Sequence, residues 1–178
     1  LKPTKCKVPN NVEYSTCVGD LDVVVAKAMD VFDDFVLVNA ANEYMRHAGG
    51  VAKAIVDFCG NKFVDYCDTF VSKYGPQQQL LAPSGVARIQ AVNNVVGPRH
   101  GQPDLFVKLV AAYKKVVVTG AVNYVVPVLS AGIFGVDYKM SIDAMRKAFC
   151  DLKIRVLLFS LNQEHIDYFN ATCKQKTV

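Results

Sequence analysis

The sequence predicts one layered α/β domain in which a mostly parallel sheet is covered by helices on both faces. First, short β-branched runs alternate with segments of helical periodicity along the chain. Second, residues 35–38 form a short apolar run that is typical of a strand buried in a parallel sheet. Third, 178 residues with 52% hydrophobic content suffice for one sizeable core. No internal repeat or second domain is visible.

Predicted strands and helices follow one another in a regular order. A strand at 13–17 leads into a helix with Asp20 as its N-cap, because a carboxylate at this position accepts hydrogen bonds from the first helical turn. The buried strand at 35–38 comes next. The later elements are helices at 51–58 and 62–73, strands at 80–83 and 89–96, a helix opening at Asp104, a strand at 125–129, a helix at 141–149, a strand at 154–159 and a C-terminal helix.

Three local features complete this outline. Residues 116–118 are β-branched and fit either the end of a helix or the start of a strand. Ser160 and Gln163 fit a capping box that starts the final helix. Residues 1–12, rich in lysine and proline, are expected to form a loose lead-in to a single domain that spans residues 1–178.

Charge and hydrophobicity argue against a membrane-spanning protein and leave weak RNA binding open. The net charge of +4 is spread along the chain, which permits weak RNA binding without demanding it. The apolar stretch 122–136 is interrupted by polar residues and proline, and it is shorter than the roughly 20 residues of a membrane-spanning helix. No secretory leader is visible, so we expect a soluble domain without membrane contact. The start at Leu1 suggests either a piece excised from a longer polypeptide or a trimmed chain.

The cysteines and histidines predict neither a metal site nor a cofactor. The six cysteines are scattered without a CxxC pair, and the three histidines complete no ligand cluster. We expect reduced thiols, as in a cytosolic compartment.

Two glycine-bearing loops are the candidate sites of chemistry. The first loop, residues 39–50, follows the buried strand and ends in Gly49 and Gly50 at a helix start, where free N–H groups favour an anion. The second loop, residues 130–135, brackets two bulky residues with glycines and is able to form an anion-binding nest. Taken singly, each also fits an ordinary turn or a loop packed on the core.

Other nucleotide-binding and hydrolase motifs are missing. Neither loop matches GxGxxG with a downstream acid, or GxxxxGK[ST], which disfavours nicotinamide dehydrogenases and P-loop NTPases. No GxSxG or Cys-His context indicates a nucleophilic hydrolase. Together the two loops predict one cleft for a phosphate-containing nucleotide, beyond the carboxyl ends of the strands.

Taken in order, the two loops resemble those of a known family. The run Val38-Asn39-Ala40-Ala41-Asn42, then His47 and Gly49-Gly50-Val51-Ala52, and later the run 129–135 (LSAGIFG) resemble the macro domain family. The resemblance extends from residue 13 to the final helix. Within the family the chain is similar to the coronavirus macro domain, or X domain, of non-structural protein 3. Among these, it resembles most the macro domain of avian, infectious-bronchitis-type gammacoronaviruses.

The resemblance implies a three-layer α/β/α sandwich with a central mixed, mostly parallel sheet that binds ADP-ribose across its top. Asp20 matches the family's acidic residue that accepts a hydrogen bond from the adenine amino group, a role compatible with N-capping. Phe159 stands where many relatives place an aromatic residue beside adenine, although it also fits core packing. Leu21, Asn39 and Ala41 are expected to contact the ligand as well.

The catalytic residues implied by the resemblance are Asn42 and His47. Asn42 matches the asparagine that fixes the distal ribose, and its amide both donates and accepts. His47 is expected to polarise a hydroxyl or position water, with a structural role as the alternative. The residues expected to face the ribose and diphosphate are Gly49, Gly50 and Val51 in the first loop and Ser130, Ala131, Gly132, Ile133 and Phe134 in the second loop.

Ala48 departs from the family pattern, because coronavirus relatives usually have three successive glycines after the histidine. Ala48 is expected to line the ribose site. A positive φ there would cost a residue with a Cβ roughly 1 kcal/mol or more. Its methyl group would also approach the sugar. We therefore expect ligand binding to be sensitive to this position.

Three function classes follow from the resemblance. The first is a hydrolase acting on ADP-ribose-1″-phosphate or mono-ADP-ribosylated host proteins, which counteracts host ADP-ribosylation. The second binds ADP-ribose without useful turnover, and the third is a nucleic-acid-binding or scaffold module. The resemblance also implies other parts of the viral replicase polyprotein as partners, a place in the host cytoplasm within a larger membrane-associated replicase protein, and a monomeric domain.

Overall fold

The computed structural model describes residues 11–176. Most of the predicted lead-in, including Cys6, lies outside the described residues. The last residue of that segment, Val12, is fully buried among the core side chains.

The centre of the molecule is one six-stranded mixed sheet with the order β1-β6-β5-β2-β4-β3. Five of its strands run parallel, and β3 pairs antiparallel to β4 at one edge. This confirms the predicted mixed, mostly parallel sheet. The strands are β1 (Glu13–Val18), β2 (Phe35–Ala41), β3 (Gln79–Ala82), β4 (Ile89–Val96), β5 (Asn123–Pro127) and β6 (Arg155–Ser160).

Six helices cover the two faces of the sheet and produce the predicted three layers. They are α1 (Leu21–Val31), α2 (Gly50–Cys59), α3 (Asn61–Tyr74), α4 (Leu105–Lys114), α5 (Tyr138–Phe149) and α6 (Gln163–Lys176). Apolar residues of α1, α2 and α3 pack on one face, and those of α4, α5 and α6 pack on the other. The family's three-layer α/β/α fold is therefore confirmed.

Strand β2 shows why the sheet is apolar on both faces. Its side chains alternate, so that Val36 and Val38 join the core under α4, α5 and α6, whereas Phe35 and Leu37 join the core under α1, α2 and α3. All four side chains are at most 1% exposed. Each buried side chain of this size stabilises the fold by roughly 1.5–3 kcal/mol.

Of the two predicted helix N-caps, the one at α1 is confirmed and the one at α6 is not. Asp20 is the N-cap of α1, where its Oδ1 accepts a hydrogen bond from Val23 N at 3.2 Å, as predicted. The capping box of Ser160 and Gln163 is wrong. Asn162 caps α6 instead, because its Oδ1 accepts from Glu164 N at 2.9 Å.

The remaining elements lie near their predicted places, with some shifted ends. The strand predicted at 125–129 begins and ends two residues earlier, and the helix predicted at 141–149 begins at Tyr138. Residues 116–118 belong to neither a helix nor a strand. Asn93 Nδ2 donates to the carbonyl of Val116, and the Tyr124 hydroxyl accepts from Val118 N and donates to the carbonyl of Val118. These side chains satisfy backbone groups that a helix or a strand would otherwise pair. None of the helices in the described part of the chain is long and apolar enough to cross a membrane.

Candidate functional site

A cavity of about 500 Å³ lies over the carboxyl ends of the central strands. Its walls come from the first loop after β2, the second loop after β5, and the segment that joins β6 to α6. Ligands of open α/β sheets bind at this position, and the volume is within the usual range for small-molecule sites. The predicted site residues that line it are Ala41, Asn42, Ala48, Gly49, Gly50, Val51, Ser130, Ala131, Gly132, Ile133, Phe134 and Phe159.

Asn42 organises the first loop through its side-chain amide. The Oδ1 atom accepts hydrogen bonds from the backbone N–H groups of Tyr44 and Arg46, both at 3.1 Å, and Nδ2 donates to the carbonyl of Arg46 at 2.7 Å. The turn between them places Met45 at a φ of 54°. Asn42 therefore faces the cavity while it holds the loop in shape.

The backbone at Ala48 is not strained. Among the described residues, the non-glycine positions of positive φ are Met45, Arg88, Asp104 and Ser130, and Ala48 is not one of them. The left-handed conformation falls on Gly50, with a φ of +58°. A positive φ at Ala48, one of the two effects considered at this position, is therefore not found, because the turn into α2 places its left-handed residue two positions later. The Ala48 methyl group still lines the cavity.

The second loop is held in a strained, buried turn. Ser130 has a φ of 65° and is 5% exposed, and its hydroxyl oxygen has no hydrogen-bond partner among the described residues. Its carbonyl accepts from Val136 N at 3.0 Å, which closes the turn. Gly97, at the end of β4, packs directly against this hydroxyl. A strained residue with an unpaired polar atom beside a cavity is typical of a binding site.

Arg99 joins the two loops, although no motif in the sequence singled it out. Its guanidinium donates to Glu43 Oε1 of the first loop at 2.9 Å and lies over the ring of Phe134 in the second loop, 4.3 Å from the centroid. The Arg99 hydrogen bond holds the pKa of Glu43 below its usual value. Next to Arg99, His100 N donates to the carbonyl of Phe134 at 2.8 Å. Residues 99 and 100 thus fix both walls of the cavity.

His47 and Asn39 lie behind the cavity wall rather than along it. Asn39 is fully buried, and its Nδ2 donates to Asn94 Oδ1 at 2.9 Å and to His47 Nδ1 at 3.3 Å. This assigns the proton of the neutral ring to Nε2. The ring stacks on Phe63 of α3, with the centroids 5.1 Å apart. Burial lowers the pKa of His47, which favours the neutral ring.

Of Asp20 and Phe159, predicted beside adenine, and Leu21, predicted to contact the ligand, one residue lines the cavity. Phe159 is 4% exposed and lines the cavity at the end of β6. Asp20 is exposed at the end of β1, the neighbouring strand, and Leu21 is buried in the core under α1. Neither Asp20 nor Leu21 lines the cavity. Their predicted contacts with the ligand stay predictions.

Sequence reasoning missed the residues that form the wall near α6. Ser160, Asn162 and His165 line the cavity, and the His165 ring stacks on Tyr138 with the centroids 4.4 Å apart. Ser160 Oγ is hydrogen-bonded to His165 Nδ1 at 2.8 Å and accepts from Asn162 N at 3.0 Å. The incorrect capping box concealed this cluster, because it assigned Ser160 to the helix start.

A second cavity of about 510 Å³ adjoins the first on the side of Asn42. The residues that line it are Asn42, Tyr44, Arg46, Arg99, Ile133 and Phe134. Four of them also line the main cavity: Asn42, Arg46, Ile133 and Phe134. The described residues contain no group of three or more His, Cys, Asp or Glu side chains suited to a metal ion.

The family follows from comparison with known proteins. The model of the macro domain family matches residues 38–145, a range that contains both loops and the strands β3, β4 and β5. The chain belongs to the macro domain family. The resemblance stated from the sequence is thereby confirmed.

Viral relatives refine this assignment. The chain is 68% identical over all 178 residues to replicase polyprotein 1a of avian infectious bronchitis virus (strain Beaudette) and spans 4% of that polyprotein. It is 36% identical over 134 residues, 74% of its length, to replicase polyprotein 1a of human coronavirus NL63, of which it covers 3%. The crystal structure of the IBV X domain at pH 8.5 has a TM-score of 0.89 at 69% identity, covering 93% of this chain and 99% of that one. This macro domain is thus of the coronavirus replicase type.

More distant structures support the fold alone. A mutant macrodomain of Oceanobacillus iheyensis with ADPR has a TM-score of 0.75 at 17% identity and covers 93% of this chain and 94% of its own. The layered architecture is therefore retained where most of the sequence has changed.

Proposed function

We propose that this macro domain binds ADP-ribose in the main cavity. The observation that carries the proposal is the convergence of both predicted loops on one cavity at the carboxyl ends of β5 and β2, with twelve predicted residues in its lining. The distant macrodomain structure with ADPR adds support, since it shares the fold. The strained Ser130 and its unpaired hydroxyl supply a reason for the second loop to hold a polar ligand.

The cavity suggests one orientation for ADP-ribose. Asn42 follows β2 and Phe159 lies at the end of β6, while Ser130 and Gly132 follow β5, the strand between those two. The distal ribose would lie beside Asn42, the diphosphate against the glycine-bearing backbones, and adenine near Phe159. Backbone N–H groups in turns and at the start of α2 suit the diphosphate charge.

The proposed reaction is hydrolysis of ADP-ribose-1″-phosphate, mono-ADP-ribosylated protein, or both. Asn42 would orient the distal ribose with its remaining Nδ2 hydrogen, while the other amide contacts keep the loop rigid. His47 faces the buried side, stacked on Phe63. A phosphate of the substrate therefore suits the activation of water better than His47 does. Such a mechanism depends on positioning more than on a protein nucleophile.

A binding module without useful turnover is the second candidate, and two observations favour it. The Asn42 amide already makes three hydrogen bonds within its own loop. His47 does not line the cavity. ADP-ribose recognition needs the cavity, whereas hydrolysis needs Asn42 in contact with substrate.

The proposed setting is the host cytoplasm, where the domain would act within a larger replicase protein against host ADP-ribosylation. Similarity to coronavirus replicase polyproteins supports this setting. Weak RNA binding and a monomeric state stay predictions.

Calorimetric titration with ADP-ribose tests the binding proposal. We expect micromolar binding by the unaltered chain, about −8 kcal/mol. The Ala48→Gly variant shows whether the methyl group matters, since its backbone carries no strain in the unaltered chain. If neither protein binds ADP-ribose, the assignment of the cavity as the ADP-ribose site is contradicted.

Hydrolase assays with Asn42 variants separate the enzyme from the binding module. We expect Asn42→Ala to abolish turnover. Asn42→Asp retains the acceptor for Tyr44 N and Arg46 N but loses the donor to Arg46 O, so it controls for the loss of two of the three loop contacts. Full turnover by Asn42→Ala would refute the catalytic role of this residue. Binding by the unaltered chain without turnover would favour the second candidate.

A further inference from the structure

We propose that Arg46 selects ligands whose substituent on C1″ of the distal ribose is itself anionic or brings carboxylates with it. The inference rests on the proposed function, because it takes ADP-ribose to occupy the main cavity with its distal ribose beside Asn42. It adds the residue and the charge that decide which substituted ADP-ribose this domain prefers.

The second cavity is in the right place to receive such a substituent. It shares Asn42, Arg46, Ile133 and Phe134 with the main cavity and continues outward from them. A sugar beside Asn42 would therefore direct the group on C1″ into this second space. Its volume of about 510 Å³ leaves room for a phosphate or for an amino-acid side chain with its neighbours.

Arg46 carries the uncompensated charge of the second cavity. The lining includes two arginines and no acidic residue. Arg99 is paired with Glu43 at 2.9 Å and stacked on Phe134, so its charge is neutralised and its position fixed. Arg46 is exposed, and its guanidinium lies 5.9 Å from the centroid of the Tyr44 ring. Among the described residues it makes no ion pair within 4.0 Å.

The backbone of Arg46 is held independently of its side chain. The Asn42 amide accepts from Arg46 N and donates to Arg46 O. The guanidinium is therefore presented at the shared wall of the two cavities from a fixed point. For the same reason, Arg46→Gln removes the charge without removing the contacts that shape the loop.

The anion has two chemical sources that a guanidinium recognises alike. One is a phosphate ester on C1″, and the other is the set of carboxylates that flank an ADP-ribosylated side chain in an acidic protein segment. Arginine binds both through charge-assisted hydrogen bonds.

The test compares affinities for substituted and plain ADP-ribose. ADP-ribose and ADP-ribose-1″-phosphate are titrated into the unaltered chain, Arg46→Gln and Lys73→Gln, while phosphate release is followed so that kcat/KM replaces Kd where turnover occurs. Lys73 is the matched control, since it also lies over the ring of a tyrosine, Tyr74 at 5.2 Å, and lines neither cavity. A second arm uses ADP-ribosylated peptides with glutamate or glutamine flanks.

We expect Arg46→Gln to lower the preference for the anionic ligand by about fivefold in at least one arm, as for a partly exposed ion pair, and Lys73→Gln to leave it unchanged. The arm that responds identifies the source of the anion. Unchanged preferences in both arms, with plain ADP-ribose still bound, would overturn this inference alone. Failure of the unaltered chain to bind plain ADP-ribose would overturn the proposed function and this inference with it.

Discussion

Gly97 and Ser130 pack so tightly that a Cβ at position 97 would lie 2.2 Å from the Ser130 hydroxyl oxygen. The contact joins the end of β4 to the second loop, in the lining of the main cavity. The backbone of Ser130 has little freedom to retreat, because the residue is 5% exposed and its carbonyl is bonded to Val136 N. The present orientation of the Ser130 hydroxyl thus depends on the missing side chain at Gly97.

We expect Gly97→Ala to lower the free energy of unfolding by about 1–3 kcal/mol, the usual cost of overpacking a filled site. Displacement of Ser130 should also weaken ADP-ribose binding. Urea unfolding and calorimetry measure the two effects. Gly132→Ala is the control for stability, since a Cβ there meets nothing within 4 Å. Equal stabilities for Gly97→Ala and the unaltered chain would show that the loop moves freely.

Arg99 is expected to hold the two loops at the separation that the ligand needs. Replacement by alanine removes both the Glu43 ion pair and the Phe134 contact, so we expect ADP-ribose affinity to fall by about threefold to tenfold. Glu43→Gln removes the charge of the pair and keeps the ring contact, and a smaller loss is expected there. An Arg99→Ala protein that binds as tightly as the unaltered chain would contradict the role of Arg99.

The first loop offers a comparison between two neighbouring positions. Gly50 has a φ of +58°, so we expect Gly50→Ala to lower the free energy of unfolding by about 1–2 kcal/mol. Ala48→Gly relieves no backbone strain and should leave stability unchanged or reduce it by less than about 1 kcal/mol. Chemical denaturation measures both. Stabilisation by Ala48→Gly would mean that position 48 carries the strain after all.

Stability should fall as the pH is lowered from about 7.5 to about 5.5, because burial lowers the pKa of His47 and of His165. Each folded-state pKa then lies below the unfolded value, so the unfolded chain binds more protons in this window and gains free energy relative to the folded one. We expect His47→Gln to reduce the pH dependence.

His100→Gln is the control for the pH series, because His100 is exposed. The free energy of unfolding of each variant is measured by urea titration across the window. A pH dependence that is identical in His47→Gln and the unaltered chain would contradict the contribution of His47.

Local patterns in the sequence were sufficient to predict most of the helices and strands. The N-cap at Asp20 and the strand at Ile89–Val96 were predicted at the residues where they occur, because capping and β-branched runs act over a few neighbours. The cap of α6 was not, since Ser160 hydrogen-bonds to His165 and leaves capping to Asn162. Residues 116–118 were ambiguous because Asn93 and Tyr124, distant in the chain, satisfy their backbone.

The sequence by itself determined the family, the alternation of strands and helices, and the two loops that meet at the cavity. These features depend on side-chain patterns within short windows. Tertiary structure alone decided that His47 faces Phe63, that Gly50 rather than Ala48 takes the left-handed turn, and that Arg99 joins the two loops. Such contacts join residues far apart in the chain, or depend on how the chain enters a helix. They are set when the layers pack, and no local pattern encodes them.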